Sequence, residues 1–164
     1  MEKDTKNRIV KFRGKEVNNG GWVFGSLLIT DDNHNDPFRH TPLKKKYQIV
    51  AYFSGDWGMG RWGIVEIEHN TVGQFTGKTD KNKNDIYEGD IIRVYSKDGT
   101  FDIVVKWSND SMAFMACYVD GNQSPFSWFT NLLVYELEVI GNVFDNPDLI
   151  IRNDNGDNTI REKA

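Results

Sequence analysis

The sequence predicts a mainly β protein: N-terminal β-hairpins packed on a C-terminal SH3-like small barrel, with one short helix before the last strand. Three observations predict it. Aromatic residues are heavy, with five Trp, ten Phe and six Tyr, and aromatic and β-branched side chains suit a pleated, half-buried surface. Apolar residues recur in short alternating runs, the period of a strand. Gly is plentiful, at 15, and gathers with Asn and Asp between those runs, where tight turns need such residues.

The elements follow in order. Residues 1–7 are polar and are expected to be disordered. Arg8 to Arg13 reads as a strand. The cluster Asn18-Asn19-Gly20-Gly21 is a hairpin signal, and Trp22 to Ile29 is the returning strand. Residues 30–46 hold two Pro and many Asp and Asn without a period, which predicts a long loop. Tyr47 to Phe53 is a strand, residues 54–60 form a Gly-rich loop, and Arg61 to Ile67 is the next strand. That last run sets Trp62, Ile64 and Glu66 on one face and Val65 and Ile67 on the other. Thr71 to Gly77 is a short strand ending in a turn, and residues 78–85 are polar. Asp90 to Tyr95 and Phe101 to Trp107 flank an Asp98-Gly99 hairpin turn. Met112 to Val119 is a further strand, and residues 120–125 break the chain. Phe126, Phe129, Leu132 and Leu133 fall at helical spacing, so one or two helical turns sit there. Val134 to Phe144 closes the fold. Asn146 and Pro147 suit the cap and first position of a short helix. Residues 153–164 are poor in apolar content.

The expected organisation is a hairpin region over residues 8–74, a barrel over residues 75–150 and a mobile tail over residues 151–164. Five strands of about six residues between positions 86 and 144 cannot bury both faces as a flat sheet, and closure hides the edges. The hydrophobic fraction of 38% is enough for a packed interior. The net charge is −4, which argues against bulk electrostatic binding of nucleic acid. The charge is uneven: residues 1–74 carry 11 Lys/Arg and 9 Asp/Glu, a net of +2, whereas residues 75–150 carry 6 and 12, a net of −6. An anionic partner would prefer the N-terminal part. The single cysteine, Cys117, permits no internal disulfide, and its apolar surroundings read as a small buried hydrophobe. The charged start reads as no signal peptide, and no apolar run approaches the roughly 20 residues of a membrane span.

Several words then recur in a familiar order. They are Thr71-Val72-Gly73-Gln74-Phe75-Thr76-Gly77, Asp80-Lys81-Asn82, Ile86-Tyr87-Glu88-Gly89-Asp90-Ile91, and the run from Leu137 to Leu149. With Lys11 to Lys15 and Trp22 to Gly25, this pattern resembles the YopX family of phage and prophage proteins across residues 8–150. One departure is visible. The family pattern puts Gly where Lys83 stands, and a side chain there is costly at positive φ, so the turn is expected to shift onto Asn82 or Asn84. The resemblance implies an all-β protein from a phage or integrated element, resident in bacterial cytoplasm. It implies no catalytic residues.

Asp80, Asn82 and Asn84 mimic the opening of a calcium loop, but Asp85 and Ile91 stand where the motif needs Gly and Glu. A solvated hairpin turn is the expectation. Glu88 and Asp90 flank Gly89, and the expectation is a tight turn at Gly89 with Asp90 bonding nearby amides. His34, His40 and Asp36, with Asp31 and Asp32 close by and His69 distant, match no compact metal spacing. No metal and no cofactor is expected. The segment Gly55 to Trp62 stands out, because three glycines hold Trp57, Met59, Arg61 and Trp62 in and beside a loop. Trp and Arg are favoured anchors at interfaces. The same residues could stack a base, with Lys44 to Lys46 as phosphate contacts.

The leading expectation is a non-catalytic phage or prophage accessory protein acting through protein–protein contacts. Its partner would be a second copy of itself, forming a homo-oligomer, or a phage or host protein. Trp57, Met59, Arg61 and Trp62 would carry the contact. The rival is a nucleic-acid-binding module, by analogy with other small barrels. A hydrolase or metalloenzyme is a third class, which the missing motifs disfavour.

Overall fold

A computed structural model describes residues 9–31, 44–54, 60–97, 99–118, 120–130 and 136–150. The expected disordered start, most of the loop 30–46, the Gly-rich loop around Trp57 and Met59, and the tail 151–164 lie outside the described residues. The described chain is mainly β, and every strand pairing is antiparallel. It divides into two compact units, Met1–Gln74 and Phe75–Ala164.

In the first unit, β1 (Phe12–Lys15) and β2 (Trp22–Asp31) form a hairpin in which Lys15 faces Trp22. Asn19 accepts the Gly21 N–H at 2.7 Å through its side chain, and Gly20 takes φ +69°. These are the roles that Asn and Gly fill in turns. β3 (Lys45–Phe53) pairs with β2, and β4 (Arg61–Glu66) pairs with β3. A 3-10 turn, His69–Thr71, leads into β5 (Gly73–Thr79), whose Gly73 and Gln74 pair with β1. The order is therefore β4-β3-β2-β1-β5; at the end of β4 the Glu66 carbonyl accepts the Val17 N–H at 3.1 Å and Ile67 bridges Glu16, so among the described residues β4 is an unpaired edge only over its first part. One face carries the core: Val23, Ile49, Ala51 and Ile67, with Phe12, Leu27, Tyr47, Val65 and Val72 against it. These positions alternate along each strand, as the pleat demands. Two close approaches hold the strands in place. A Cβ on Gly25 would lie 2.1 Å from the Val50 carbonyl oxygen, and one on Gly14 would lie 2.3 Å from Ile67 Cδ1.

The second unit begins within β5, where Phe75 and Thr79 pair with β6 (Asp85–Tyr87) across a bulge holding Gly77 at φ +85°. Its main sheet comprises β7 (Asp90–Ser96), β8 (Gly99–Ser108), β9 (Ala113–Tyr118), β10 (Gln123–Pro125) and β11 (Glu136–Asn142). The order is β10-β9-β8-β7-β11. Its core gathers Ile86, Ile92, Val94, Ile103, Val105, Ala116, Phe126, Phe129 and Leu137. Phe126–Thr130 forms a 3-10 turn, in keeping with its helical spacing, and Pro147–Ile150 forms another. Among the described residues no pairing joins β10 to β11, so the sheet is open and no closed barrel is present.

The closure expected of the second unit is therefore absent among the described residues, and two local expectations also need correction. Residues 123–125 are a strand and not merely a break. β10 lies at the sheet edge, where Pro125 removes no ladder bond that an inner neighbour needs. The turn after Asp80 does not shift: Lys83 itself adopts φ +68°.

A candidate contact face on the first sheet, and the polar turns

The outer face of the first unit is built by the same alternation that fills its core. Trp62 stands opposite Tyr52, and Ile64 opposite Val50. Val50 faces Ser26, and Phe24 lies two residues further along β2. Trp62 is 72% exposed, Ile64 60%, Tyr52 56% and Phe24 50%. Single exposed apolar residues are ordinary on a surface, whereas these four are neighbours on one sheet face. The Trp62 and Tyr52 rings meet edge-on at 5.4 Å. Gly60 leaves room for that tyrosine, since a Cβ there would come within 2.2 Å of its ring. At the far side of the face, Arg13 stacks over Trp22 at 4.5 Å, with the Lys15 ammonium 5.6 Å from the same ring. Arg13 is buried, and such stacking offsets part of the cost of covering a guanidinium.

The structure rearranges the residues singled out in the sequence. Trp57 and Met59 lie outside the described residues. Arg61 and Trp62 are both exposed, but they are adjacent on β4 and point to opposite faces, with Arg61 opposite Phe53. Lys44 to Lys46 sit at or beside the other end of β3 from Tyr52, roughly 20 Å from Trp62 at about 3.3 Å per residue. The lysines and the exposed Trp62 therefore do not form one compact base-and-phosphate site. Tyr52 and Phe24 belong to the face although sequence reasoning passed over them. The signal available was the alternation of their strands, and it becomes a shared face only once β2, β3 and β4 are in register.

The acidic turns of the second unit have structural employment. Asp80 is buried, contrary to the expectation of a solvated turn. Its Oδ1 accepts the N–H groups of Asn82 and Asn84, each at 2.8 Å. Its Oδ2 accepts the Asn84 side chain and the Val139 N–H, each at 3.1 Å. Burial pushes this carboxyl up, but the amides of Val139, Asn84 and Asn82 outweigh that and hold it below the usual carboxylate range. With four N–H donors on its two oxygens, the carboxylate ties the turn to β11 rather than presenting itself to a cation. Next to it, Glu138 accepts the Tyr95 hydroxyl at 2.6 Å and pairs with Lys81 at 2.9 Å. The tyrosine bond and then the lysine hold Glu138 below its ordinary range. Asp90 accepts the Tyr87 N–H at 2.7 Å, with Gly89 at φ +85° between them. Glu88 turns elsewhere, accepting the Trp107 N–H at 3.2 Å. The two carboxylates brace backbone in different places. His69 lies in the 3-10 turn with its ring 5.8 Å from that of Tyr47, while His34, His40 and Asp36 lie outside the described residues.

No helix among the described residues is long and apolar enough to cross a membrane. A search of curated proteins finds no match to the chain. The family model described as YopX protein matches residues 11–151, a span that holds both units' described strands, the exposed β4 face and the Asp80 turn; the chain belongs to the YopX protein family.

Proposed function

We propose that this chain is a non-catalytic phage or prophage accessory protein of the bacterial cytoplasm that works through protein–protein contacts and assembles with itself along β4. One observation carries the reading: over residues 61–64, where β4 pairs only with β3 among the described residues, the strand bears Trp62 and Ile64 on the same exposed face as Tyr52 and Phe24. Unpaired edges with apolar side chains invite another strand, and proteins that avoid this place charge or Pro there. β4 holds charge only at its ends, Arg61 and Glu66. Antiparallel pairing sets the Arg61 end of one copy toward the Glu66 end of the other, whereas parallel pairing sets like charges together. A two-fold axis at Gly63 places Trp62 opposite Ile64 of the second copy, twice, and each such aromatic and β-branched pair contributes about 0.2–1 kcal/mol.

In this reading the second unit is an SH3-like arrangement left open between β10 and β11. The strand order β10-β9-β8-β7-β11 and the 3-10 turn ahead of β11 support it. Light scattering on the wild type and on Trp62→Lys with Ile64→Lys tests self-assembly. The expected result is an oligomer that the double variant reduces to a monomer, with stability held within about 0.5 kcal/mol because both positions are exposed. A wild type that stays monomeric at high protein concentration, or a variant that assembles equally well, overturns it.

A further inference from the structure

The outer face of the second sheet holds a groove distant in purpose from the β4 edge. Four residues in register form one row across four strands: Ile91 opposite Val104, Val104 opposite Cys117, and Cys117 opposite Gln123. Asp102 and Lys106 flank Val104 on the same face of β8. Leu149 and Ile150, on the last 3-10 turn, line the groove with this row, and the Gly121 turn lines it too. The groove is open to solvent on one side and has a volume of about 420 Å³, within the range of small-molecule sites.

The charges select the ligand. Asp102 is buried, and its two oxygens are taken by Arg93 Nε at 3.1 Å and the terminal guanidinium nitrogen at 3.2 Å. Its charge is thereby cancelled within the fold. Asp120, in the neighbouring turn, spends both carboxylate oxygens on Asn122 at 2.8 Å. Lys106 is exposed and makes no ion pair among the described residues. The groove thus offers an apolar floor and wall, an amide from Gln123 and one available ammonium. We propose that it binds a small organic anion, an apolar body carrying a single carboxylate or sulfonate that pairs with Lys106.

Cys117 supplies a reporter. It is the sole cysteine in the chain and half-buried on the groove floor. Burial pushes its thiol up, with Lys106 opposing, so its basal alkylation is slow. The experiment uses the full chain and the probe 1-anilinonaphthalene-8-sulfonate, read by its fluorescence, alongside the rate at which iodoacetamide modifies Cys117. Saturable binding is expected, with Cys117 alkylation slowed at saturating probe. Lys106→Glu is expected to weaken binding by about tenfold, the loss of one charge-assisted bond, with an unchanged urea midpoint. Trp62→Lys is expected to leave affinity unchanged, which separates this groove from the β4 face. Absence of saturable binding, an affinity indifferent to Lys106→Glu, loss of binding in Trp62→Lys, or a thiol modified equally fast with the probe bound each overturns the assignment.

Discussion

Replacing Asp80 by Asn isolates one carboxylate that joins two distant parts of the second unit. The substitution keeps volume and shape. An amide oxygen in the place of Oδ1 still accepts the Asn82 and Asn84 N–H groups. The NH₂ in the place of Oδ2 then points at two donors, the Val139 N–H and the Asn84 side chain. Asn84 is exposed and can turn to water. The Val139 N–H lies between β11 and the turn, and a covered donor stripped of its acceptor costs about 1–3 kcal/mol. Weaker neutral bonds to Asn82 and Asn84 add to this, so the expected loss is about 2–3 kcal/mol. In urea that lowers the midpoint by about 1–2 M for an m-value typical of a small protein. Hydrogen exchange at the Val139 amide should accelerate with it.

The acid dependence of Asp80 follows from the direction of its shift. A carboxyl held low in the folded state stabilises fully above its unfolded value, and that stability is lost as pH falls through the folded value. The gap between wild type and Asp80→Asn should therefore be complete at pH 7 and should shrink below about pH 4. A midpoint shift under about 0.3 M at pH 7, or a gap that widens in acid, refutes the reasoning.

Two further substitutions test the backbone. Lys83→Gly removes a side chain from φ +68°, a conformation costing about 1–2 kcal/mol for an L-residue, while adding about 0.4–1 kcal/mol of unfolded-state entropy. The expected outcome is a urea midpoint equal to or slightly above wild type, with Lys83→Val clearly below it; a Gly variant weaker than wild type by more than about 1 kcal/mol would refute the strained-turn reading. Gly25→Ala forces a Cβ to within 2.1 Å of the Val50 carbonyl oxygen. That atom belongs to the paired strand, so relief requires parting β2 from β3, and a thermal melt should register a loss of about 3 kcal/mol. A near-neutral effect would show that the two strands yield more easily than their pairing implies.

The class and most of the strand plan are legible in the chain alone. The hairpins of β1 with β2 and of β7 with β8 were legible because Asn-Gly and Asp-Gly chemistry is local and the flanking alternation is strong. The exposed Trp62 and Ile64 were legible for the same reason, as one phase of β4. Tertiary structure decided the rest. Three-residue strands such as β6 and β10 carry too few positions to show a period, and only a neighbour's register makes them strands. Lys83 keeps its strained φ because the turn is clamped by Asp80, whose bond to Val139 spans 59 positions. Tyr52 and Phe24 join Trp62, and Ile91 joins Gln123, only through pairings across strands far apart in the chain. Local propensity reaches a few residues along the backbone, and a shared face or a groove exists only after distant strands are set side by side.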